Sequence, residues 1–222
     1  RNRARAFRHF PKKCRTCRNR SKCILIETIE QLEALYGTPK APSLVKVANH
    51  VTAEYAAHIK ASPFVALATV GPEGLDCSPR GDAGQVVFIE DQHTLSLPDW
   101  RGNDRIDSLR NIVRDARVSL MFLVPGSTTV VRVNGKGRIS ATPDLLQRFA
   151  KPGKPPRSVL LISINEIYFQ CARAIMRAGL WDETDKPDLP KAGEILAAMT
   201  DGQEGGEEYD KSWPERAAKT LW

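Results

Sequence analysis

The chain has 222 residues, is 41% hydrophobic and carries a formal charge of +7, which fits one globular domain with tails and excludes collagen-like and disordered chains. Ten of the 33 Lys and Arg residues lie in residues 1–23, which contain no carboxylate, so the rest of the chain has 23 basic against 26 acidic groups. The charge that would indicate a nucleic-acid partner therefore belongs to an arm. No apolar run approaches the about 18 residues of a membrane-spanning helix, so we expect a soluble protein.

Two helices are predicted ahead of the first strand. Thr28 and Gln31 form a capping-box pair that opens a helix over residues 29–36. Apolar residues at three- and four-residue steps then predict one longer helix, from residue 41 or 44 to residue 60.

The hydrophobic period shortens after residue 62, as it does in β-strands. Strands are predicted at residues 64–70, 75–79, 86–90, 94–97, 118–124, 128–139 and 159–169. Helices are predicted at residues 103–114, with Asn103 as the N-cap, and at residues 142–150. Gly135 and Gly137 are expected bulge or bend positions in the long strand.

These segments follow one another in hairpin order, without repeated strand–helix–strand units. We therefore expect a mainly β fold with flanking helices, in which about six antiparallel strands form a barrel-like sheet. The organisation expected is a basic, disordered arm at residues 1–27, the barrel domain with its N-terminal helices at residues 28–182, and an acidic tail at residues 183–222 with one helix near residues 192–199. No glycine-rich phosphate loop or dinucleotide fingerprint follows a strand.

Two segments that follow strand ends, residues 76–82 and 98–108, concentrate arginine, hydroxyl and glycine residues. Guanidinium groups bind phosphate through paired hydrogen bonds, and free amides at a helix start add fixed donors. The candidate phosphate ligands are Ser78, Arg80, Arg101, Arg105 and Ser108. The alternative is that these arginines only pair with the carboxylates beside them.

Several motifs occur in a fixed order along the chain: Ser-Pro-Phe at 62–64, Ser-Pro-Arg-Gly-Asp at 78–82, Pro-Asp at 98–99, Gly-Asn-x-Arg at 102–105, Asn-Ile at 111–112, Arg-Val-Asn-Gly at 132–135 and Leu-Trp-Asp at 180–182. Together they resemble the pyridoxamine 5′-phosphate oxidase-like superfamily, in its uncharacterised branch of FMN-dependent enzymes. The resemblance covers residues 28–182.

This resemblance implies an FMN-binding split β-barrel that forms a homodimer, with FMN in a groove between the two subunits. It also implies an FMN-dependent oxidoreductase that acts by hydride transfer on a small organic substrate. It assigns five residues to the flavin phosphate and ribityl chain: Ser78, Arg80, Asn103, Arg105 and Ser108. Arg101 is a further candidate for the same site. Because the flavin carries the hydride, no catalytic acid or base is required of the side chains.

The chain departs from the oxidases of this type in three places. The lysine that they commonly carry near the helix start is missing around Ser108, which leaves the phosphate to Arg101 or Arg105. No histidine follows His93, so the C-terminal Arg-and-His substrate motif has no counterpart and vitamin B6 oxidation is not expected. Gln170 stands where relatives often have a histidine, and its amide can still donate a hydrogen bond.

Candidate substrate residues follow the last strand: Gln170, Arg173, Arg177 and Trp181. Arg173 and Arg177 are four residues apart and share one face of a helix, where they can meet an anionic substrate. The alternatives are that this face contacts the acidic tail and that Trp181 packs at an interface instead of covering a flavin edge.

A different class of function stays open beside the enzyme. The barrel can hold a deazaflavin or a haem in place of FMN, and it can be a non-catalytic flavin- or haem-binding sensor whose basic arm contacts nucleic acid. We expect nucleic-acid contact only through residues 1–23, and no contact with membranes.

The cysteines divide into two groups. Cys14, Cys17 and Cys23 can supply a zinc site with His9, but the second closely spaced pair of a zinc finger is missing, so no metal is expected. The remaining two, Cys77 and Cys171, are expected in the core or at an interface. The chain has five cysteines, an odd number that does not suit a framework of disulfides. This favours a reducing compartment and predicts a cytoplasmic protein.

Overall fold

The structure is a computed structural model that describes residues 25–151, 154–185 and 187–220. Its seven strands are β1 (Phe64–Gly71), β2 (Gly74–Gly81), β3 (Phe88–Ile89), β4 (Thr94–Asp99), β5 (Arg117–Leu123), β6 (Val130–Ser140) and β7 (Ser158–Gln170). Its described helices are α1 (Ile29–Tyr36), α2 (Ala41–Val45), α3 (Ala53–Ala61), α4 (Asp107–Arg114), α5 (Pro143–Arg148), α6 (Arg173–Ala178), α7 (Ala192–Met199) and α8 (Gly206–Thr220). The chain divides into two compact units, residues 1–47 and 48–222.

The first unit contains α1 and α2. The side-chain oxygen of Thr28 accepts a hydrogen bond from the Gln31 amide at 3.3 Å, and the Gln31 side chain accepts one from the Glu27 amide at 2.9 Å. Helix α1 therefore begins with the predicted capping box and occupies the predicted residues.

The second unit is built on one antiparallel sheet with the strand order β2-β1-β5-β6-β7-β4-β3. The sheet is open between β2 and β3, its two edge strands, and helices flank it. The expected fold class, a mainly β split barrel with flanking helices, is confirmed, with seven strands in place of about six.

The core of this unit lies on one face of the sheet. Alternate residues of the central strands β1, β5, β6 and β7 point into it, because successive side chains of a strand face opposite ways. Phe122 on β5 and Ile59 on α3 are fully buried in this core. Helix α4 packs against β1, β2 and β6, and this brings its first turn beside the edge strand β2.

The single helix predicted from residue 41 or 44 to residue 60 is wrong, because the structure has two helices there. Between them, Ala48 forms a β-bridge with Ile167, with backbone hydrogen bonds of 3.0 and 2.8 Å. Thr52 then caps α3, and its side-chain oxygen accepts a hydrogen bond from the Tyr55 amide. The apolar residues keep a helical period across this segment, but the backbone at Ala48 forms its hydrogen bonds with β7 and cannot form those of a helix.

The helix predicted at residues 103–114 begins four residues later than expected. Asp104 and Ile106 have positive φ angles of 58° and 52°, which a right-handed helix does not allow. The Asn103 side chain accepts a hydrogen bond from the Arg105 amide at 3.2 Å and so stabilises a loop turn instead of capping the helix. The residue before α4 is Ile106, which has no side-chain cap.

The register between β6 and β7 shifts between Asn134 and Gly135 and skips Asn165, so the bulge lies on β7, opposite the position that the sequence indicated. A Cβ atom on Gly135 would lie 2.2 Å from the carbonyl oxygen of Ser163. Strand β7 therefore passes too close for any side chain at this position.

Replacing Gly135 with Ala is expected to lower the free energy of unfolding by about 1–3 kcal/mol, because backbone must move to relieve the overlap. The measurement is urea unfolding followed by circular dichroism. Gly81→Ala is the matched control, since a Cβ on this strand glycine meets its nearest atom at an ordinary 3.5 Å. Equal unfolding midpoints for the two variants would contradict the close approach of β7.

Asp115 and Arg117 form an ion pair between α4 and β5. The Arg117 guanidinium donates hydrogen bonds of 2.6 and 3.0 Å to the carboxylate, and the Arg117 amide donates another at 3.0 Å. These hydrogen bonds lower the pKa of Asp115 to about 2 from its usual 3.8. Because the folded pKa is the lower one, the pair stabilises the fold above about pH 4, and this contribution is lost as the pH falls toward about 2.

A carboxyl-detected NMR titration is expected to give Asp115 a midpoint near pH 2 in the native chain. In an Arg117→Ala variant the midpoint should rise part of the way toward the usual 3.8, because the amide of residue 117 still donates its hydrogen bond to the carboxylate. Asp91, whose pKa is lowered by a hydrogen bond from the His93 amide, is the control and should not respond to this substitution. An unchanged Asp115 midpoint in the variant would rule out Arg117 as the cause of the shift.

Candidate functional site

One face of the edge strand β2 carries three polar side chains in alternation. Asp76, Ser78 and Arg80 are half-buried, whereas Leu75 and Cys77 point to the opposite, exposed face. The sequence places them two residues apart, and the strand therefore brings all three to the side on which α4 packs.

These side chains belong to one hydrogen-bonded chain of groups. The Ser108 hydroxyl, on the first turn of α4, donates to the Asp76 carboxylate and lies 2.9 Å from the Ser78 hydroxyl. The Arg80 Nε atom donates to the Ser78 hydroxyl at 3.3 Å. The guanidinium of Arg80 also forms an ion pair with Asp99, at the end of β4. The network thus joins β2, α4 and β4 at one point.

A cavity of about 230 Å³ opens beside this network. Residues of the β4–α4 loop and of the start of β7 line it together with Arg80, and they include Asp99, Trp100, Asn103, Asp104, Arg157 and Ser158. Arg157 pairs with Asp104 at 2.5 Å, as Arg80 pairs with Asp99. The cavity therefore presents two guanidinium groups, and each of them also pairs with a carboxylate that lowers its attraction for an entering anion.

The structure brings four of the six predicted cofactor residues to this place. Ser78, Arg80 and Ser108 share the hydrogen-bonded network, and Asn103 lines the cavity with Arg80. Ser108 is only 3% exposed, so its hydroxyl supports the site from behind.

The other two predicted residues, Arg101 and Arg105, lie on the exposed β4–α4 loop and do not line the cavity. Arg105 donates to Asp107 at 2.8 Å, and its side chain is 75% exposed. Arg101 has no hydrogen bond or ion pair with any residue that the structure describes. Arg105 therefore pairs with a neighbouring carboxylate, which is the alternative interpretation of this arginine.

The predicted substrate residues lie at the end of β7 and after it. Arg173 and Arg177 are exposed on α6, and neither forms an ion pair within the described ranges, so the alternative contact with the acidic tail is not observed. The Trp181 indole N–H donates to the Ser127 carbonyl at 2.7 Å, which ties this ring to the turn between β5 and β6. Gln170 is exposed at the end of β7.

Sequence reasoning missed Asp99 and Arg157 as members of the cavity wall. Both flank a pairing of β4 with β7 in which Asp99 lies opposite Ser158, and this pairing joins residues far apart in the chain. The available signal was the position of Arg157 directly before a predicted strand, but nothing in the sequence shows which strand lies beside it.

Cys77 and Cys171 are exposed free thiols, so the core positions are wrong and the interface positions stay a prediction. No group of three or more His, Cys, Asp or Glu side chains with metal-binding geometry occurs in the part of the chain that the structure describes. His9, Cys14, Cys17 and Cys23 lie outside the described residues. Within those residues, no helix is both long and apolar enough to cross a membrane.

A family model described as pyridoxamine 5′-phosphate oxidase matches residues 51–171, more than half of the chain. The chain belongs to the pyridoxamine 5′-phosphate oxidase-like superfamily. The match begins just before α3, ends after β7 and includes all seven strands. It also includes the β4–α4 loop and the residues at the start of β7, which line the cavity. A search of curated proteins returned no significant match.

Solved structures with a similar arrangement have low sequence identity. HupZ of Group A Streptococcus is 18% identical, with 55% of this chain and 94% of that chain covered and a TM-score of 0.45. An FMN-binding protein from Syntrophomonas wolfei is 13% identical over 63% and 95% of the two chains, with a TM-score of 0.42. A pyridoxamine 5′-phosphate oxidase-related, FMN-binding protein from Nostoc punctiforme is 17% identical over 50% and 76%, with a TM-score of 0.37.

Proposed function

We propose that the protein is an FMN-dependent oxidoreductase that transfers hydride to or from a small organic substrate. The observation that carries this proposal is the cavity of about 230 Å³ lined by Arg80, Asn103 and Arg157. Guanidinium groups from β2 and from the residue before β7, with an amide from the β4–α4 loop, have the chemistry that a phosphate monoester requires.

These residues fit the phosphate and ribityl chain of FMN. Arg80 and Arg157 supply charged donors, and Asn103 supplies an amide that can contact a polyol. The Ser78 and Ser108 hydroxyls hold Arg80 in place, because the guanidinium donates to Ser78 and Ser78 contacts Ser108. When bound, the flavin supplies the hydride chemistry, while the protein binds and orients it.

We propose that the functional unit is a homodimer. The cavity is smaller than the about 300–1,000 Å³ of pockets that enclose a whole small ligand, so a flavin ring needs further surface. The outer face of β1, β2 and β5 exposes a continuous apolar patch that includes Phe64, Leu75 and Met121, with Leu75 86% exposed. Exposed apolar patches of this kind mark protein interfaces.

The test of the enzyme proposal is the absorbance spectrum of the purified protein, followed by mass spectrometry of the small molecules released on denaturation. We expect flavin bands and the mass of FMN, and bands that bleach on anaerobic reduction and return with an electron acceptor. Colourless protein whose melting temperature is unmoved by added FMN would exclude the proposal. Bound cofactor that never exchanges electrons would favour the sensing alternative, and haem or deazaflavin would correct the cofactor.

The test of the dimer is light scattering on a Leu75→Asp/Met121→Asp variant, which should run as a monomer and lose FMN. Leu189→Asp/Met199→Asp places the same two charges on another exposed leucine and methionine and should change neither property. A monomeric variant that keeps its FMN affinity would show that the second subunit contributes nothing to the site.

Three further assignments accompany this proposal. We propose that residues 28–182 form the functional domain, between the basic arm and the acidic segment. We also propose a cytoplasmic location, because the free surface thiols Cys77 and Cys171 suit a reducing compartment. The substrate residues proposed are Gln170, Arg173, Arg177 and Trp181.

A further inference from the structure

A second cavity, of about 450 Å³, lies on the other side of Trp100 from the proposed phosphate site. Trp100 lines both cavities, and the second is otherwise formed by the segment around β3 and the end of α5. Its volume falls within the about 300–1,000 Å³ range of small-molecule pockets. None of the predicted cofactor or substrate residues lines it.

The walls of this cavity are aromatic. The rings of Phe88 and Phe149 lie 4.9 Å apart between centroids, in a tilted arrangement. The Arg148 guanidinium lies 4.7 Å from the Phe149 ring centre, and the Lys151 ammonium lies 5.2 Å from the Trp100 ring centre. The rings of Phe88, Phe149 and Trp100 thus line a space of the size that a small aromatic molecule occupies.

Both cations at the cavity are paired with carboxylates. Arg148 forms an ion pair with Glu90, and Lys151 forms one with Asp82, whose side chain is only 7% exposed. Burial acts to raise the pKa of Glu90, but hydrogen bonds from Arg148 and Ser96 outweigh it and leave this pKa below its usual value. Glu90 is therefore a carboxylate at neutral pH, and the four charged groups cancel.

This charge balance decides which ligands the cavity can take. An anionic group that captured Lys151 would leave Asp82, whose side chain is only 7% exposed, without its partner, which is costly. At the proposed phosphate site, by contrast, the partner of Arg157 is Asp104, which is 60% exposed and can be solvated by water when an anion binds. A cationic group would meet the reverse problem at the guanidinium and ammonium. An uncharged ring needs only the apolar and aromatic walls, and disturbs neither ion pair.

We propose that this cavity binds an uncharged planar aromatic ring and rejects ligands that carry a phosphate or carboxylate there. That this ring belongs to the substrate rests on the proposed function, since Trp100 lines both this cavity and the proposed flavin phosphate site. The selectivity itself rests on the two ion pairs and the three rings.

The test compares 2-naphthol, which is uncharged at pH 7, with 2-naphthoate by isothermal titration calorimetry on the full chain as purified. We expect naphthol to bind at least about tenfold more tightly than naphthoate, because the carboxylate must compete for a paired cation. Naphthoate binding as tight as naphthol, or no binding of naphthol, would overturn the inference. This comparison needs no variant.

Two substitutions locate the effect. Glu90→Gln frees Arg148 and should raise naphthoate affinity about tenfold while leaving naphthol affinity within about twofold. Glu166→Gln changes a carboxylate on the outer face of β7 and is the control. Phe149→Ala should weaken naphthol binding about tenfold, whereas Phe169→Ala, at an exposed phenylalanine, should not. An unchanged preference in Glu90→Gln would overturn the role of the ion pairs.

Flavin content is measured by absorbance on the same samples, which separates this inference from the proposed function. Colourless protein that still prefers naphthol would uphold the cavity's selectivity and reject the flavin enzyme. Flavin-bound protein that does not bind naphthol would uphold the cofactor and overturn the selectivity.

Discussion

Replacing Arg80 with Ala is expected to weaken FMN binding about ten- to hundredfold. Hydrogen bonds to a charged group are worth about 1.5–3 kcal/mol, and each 1.4 kcal/mol is about tenfold in affinity. Arg80 is the one guanidinium of the cavity that is also oriented by a hydroxyl, through its 3.3 Å hydrogen bond to Ser78. The measurement is the dissociation constant of FMN by fluorescence quenching on apo protein.

Three comparisons make this result specific. Arg138→Ala removes an exposed guanidinium on β6, outside the cavity, and should leave FMN affinity unchanged. Arg105→Ala should have a smaller effect than Arg80→Ala, because Arg105 is exposed and engaged with Asp107. Asp99→Asn removes the carboxylate that competes for Arg80 and should tighten FMN binding. If Arg80→Ala and Arg138→Ala bind FMN equally, the phosphate does not lie at Arg80.

Local signals in the sequence predicted those elements of the fold that are held by hydrogen bonds between nearby residues. The capping box at Thr28 and the apolar period after Lys191 gave the bounds of α1 and α7 as they are found. The turn residues at 71–74 gave the β1–β2 hairpin. In each case the hydrogen bonds that fix the end of the element join residues a few positions apart. The residue types at those positions therefore predict them directly.

Local signals failed where a distant segment binds the backbone. The helical period over residues 41–60 is real, but the bridge from Ala48 to Ile167 breaks it. At the start of α4, the left-handed backbone of Asp104 and Ile106 overrides good helix-capping chemistry. Helix α8 was missed for a different reason, because its acidic, glycine-flanked sequence with Pro214 inside resembles a solvated tail.

The candidate site divides in the same way. Residues on one strand face, such as Ser78 and Arg80, could be grouped from their spacing of two. Ser108 was grouped with them because its segment also follows a strand end and concentrates arginine and hydroxyl residues, and the family resemblance gave the same grouping. Asp99 and Arg157 could not be found, because only the pairing of β4 with β7 brings them to the same cavity. The same pairing supplies the carboxylate that competes with an anion for Arg80.

Phe122→Ala is expected to lower the free energy of unfolding by about 3–5 kcal/mol, the cost of deleting a buried phenyl ring and leaving a cavity. Phe122 is 0% exposed on β5, and its strand partners Val65 and Val131 are also buried. Domains of this size are commonly stable by only about 5–15 kcal/mol, so this variant should lose a large share of its stability. Urea unfolding is the measurement, with Val113→Ala, at a residue that is 78% exposed on α4 and expected within about 0.5 kcal/mol of the native chain, as the control.

A milder Phe122→Leu variant, expected to cost about 1.5 kcal/mol, keeps the experiment informative if the alanine variant does not fold. Its FMN affinity should equal that of the native chain, because Phe122 lies in the core and does not line the cavity. Arg80→Ala should instead bind FMN weakly, and it should also lose some stability, because Asp99, whose side chain is only 14% exposed, is left without its partner. The two variants thus separate loss of the fold from loss of the site. Weak FMN binding in folded Phe122→Leu would mean that the cavity depends on core packing and not on its own donors.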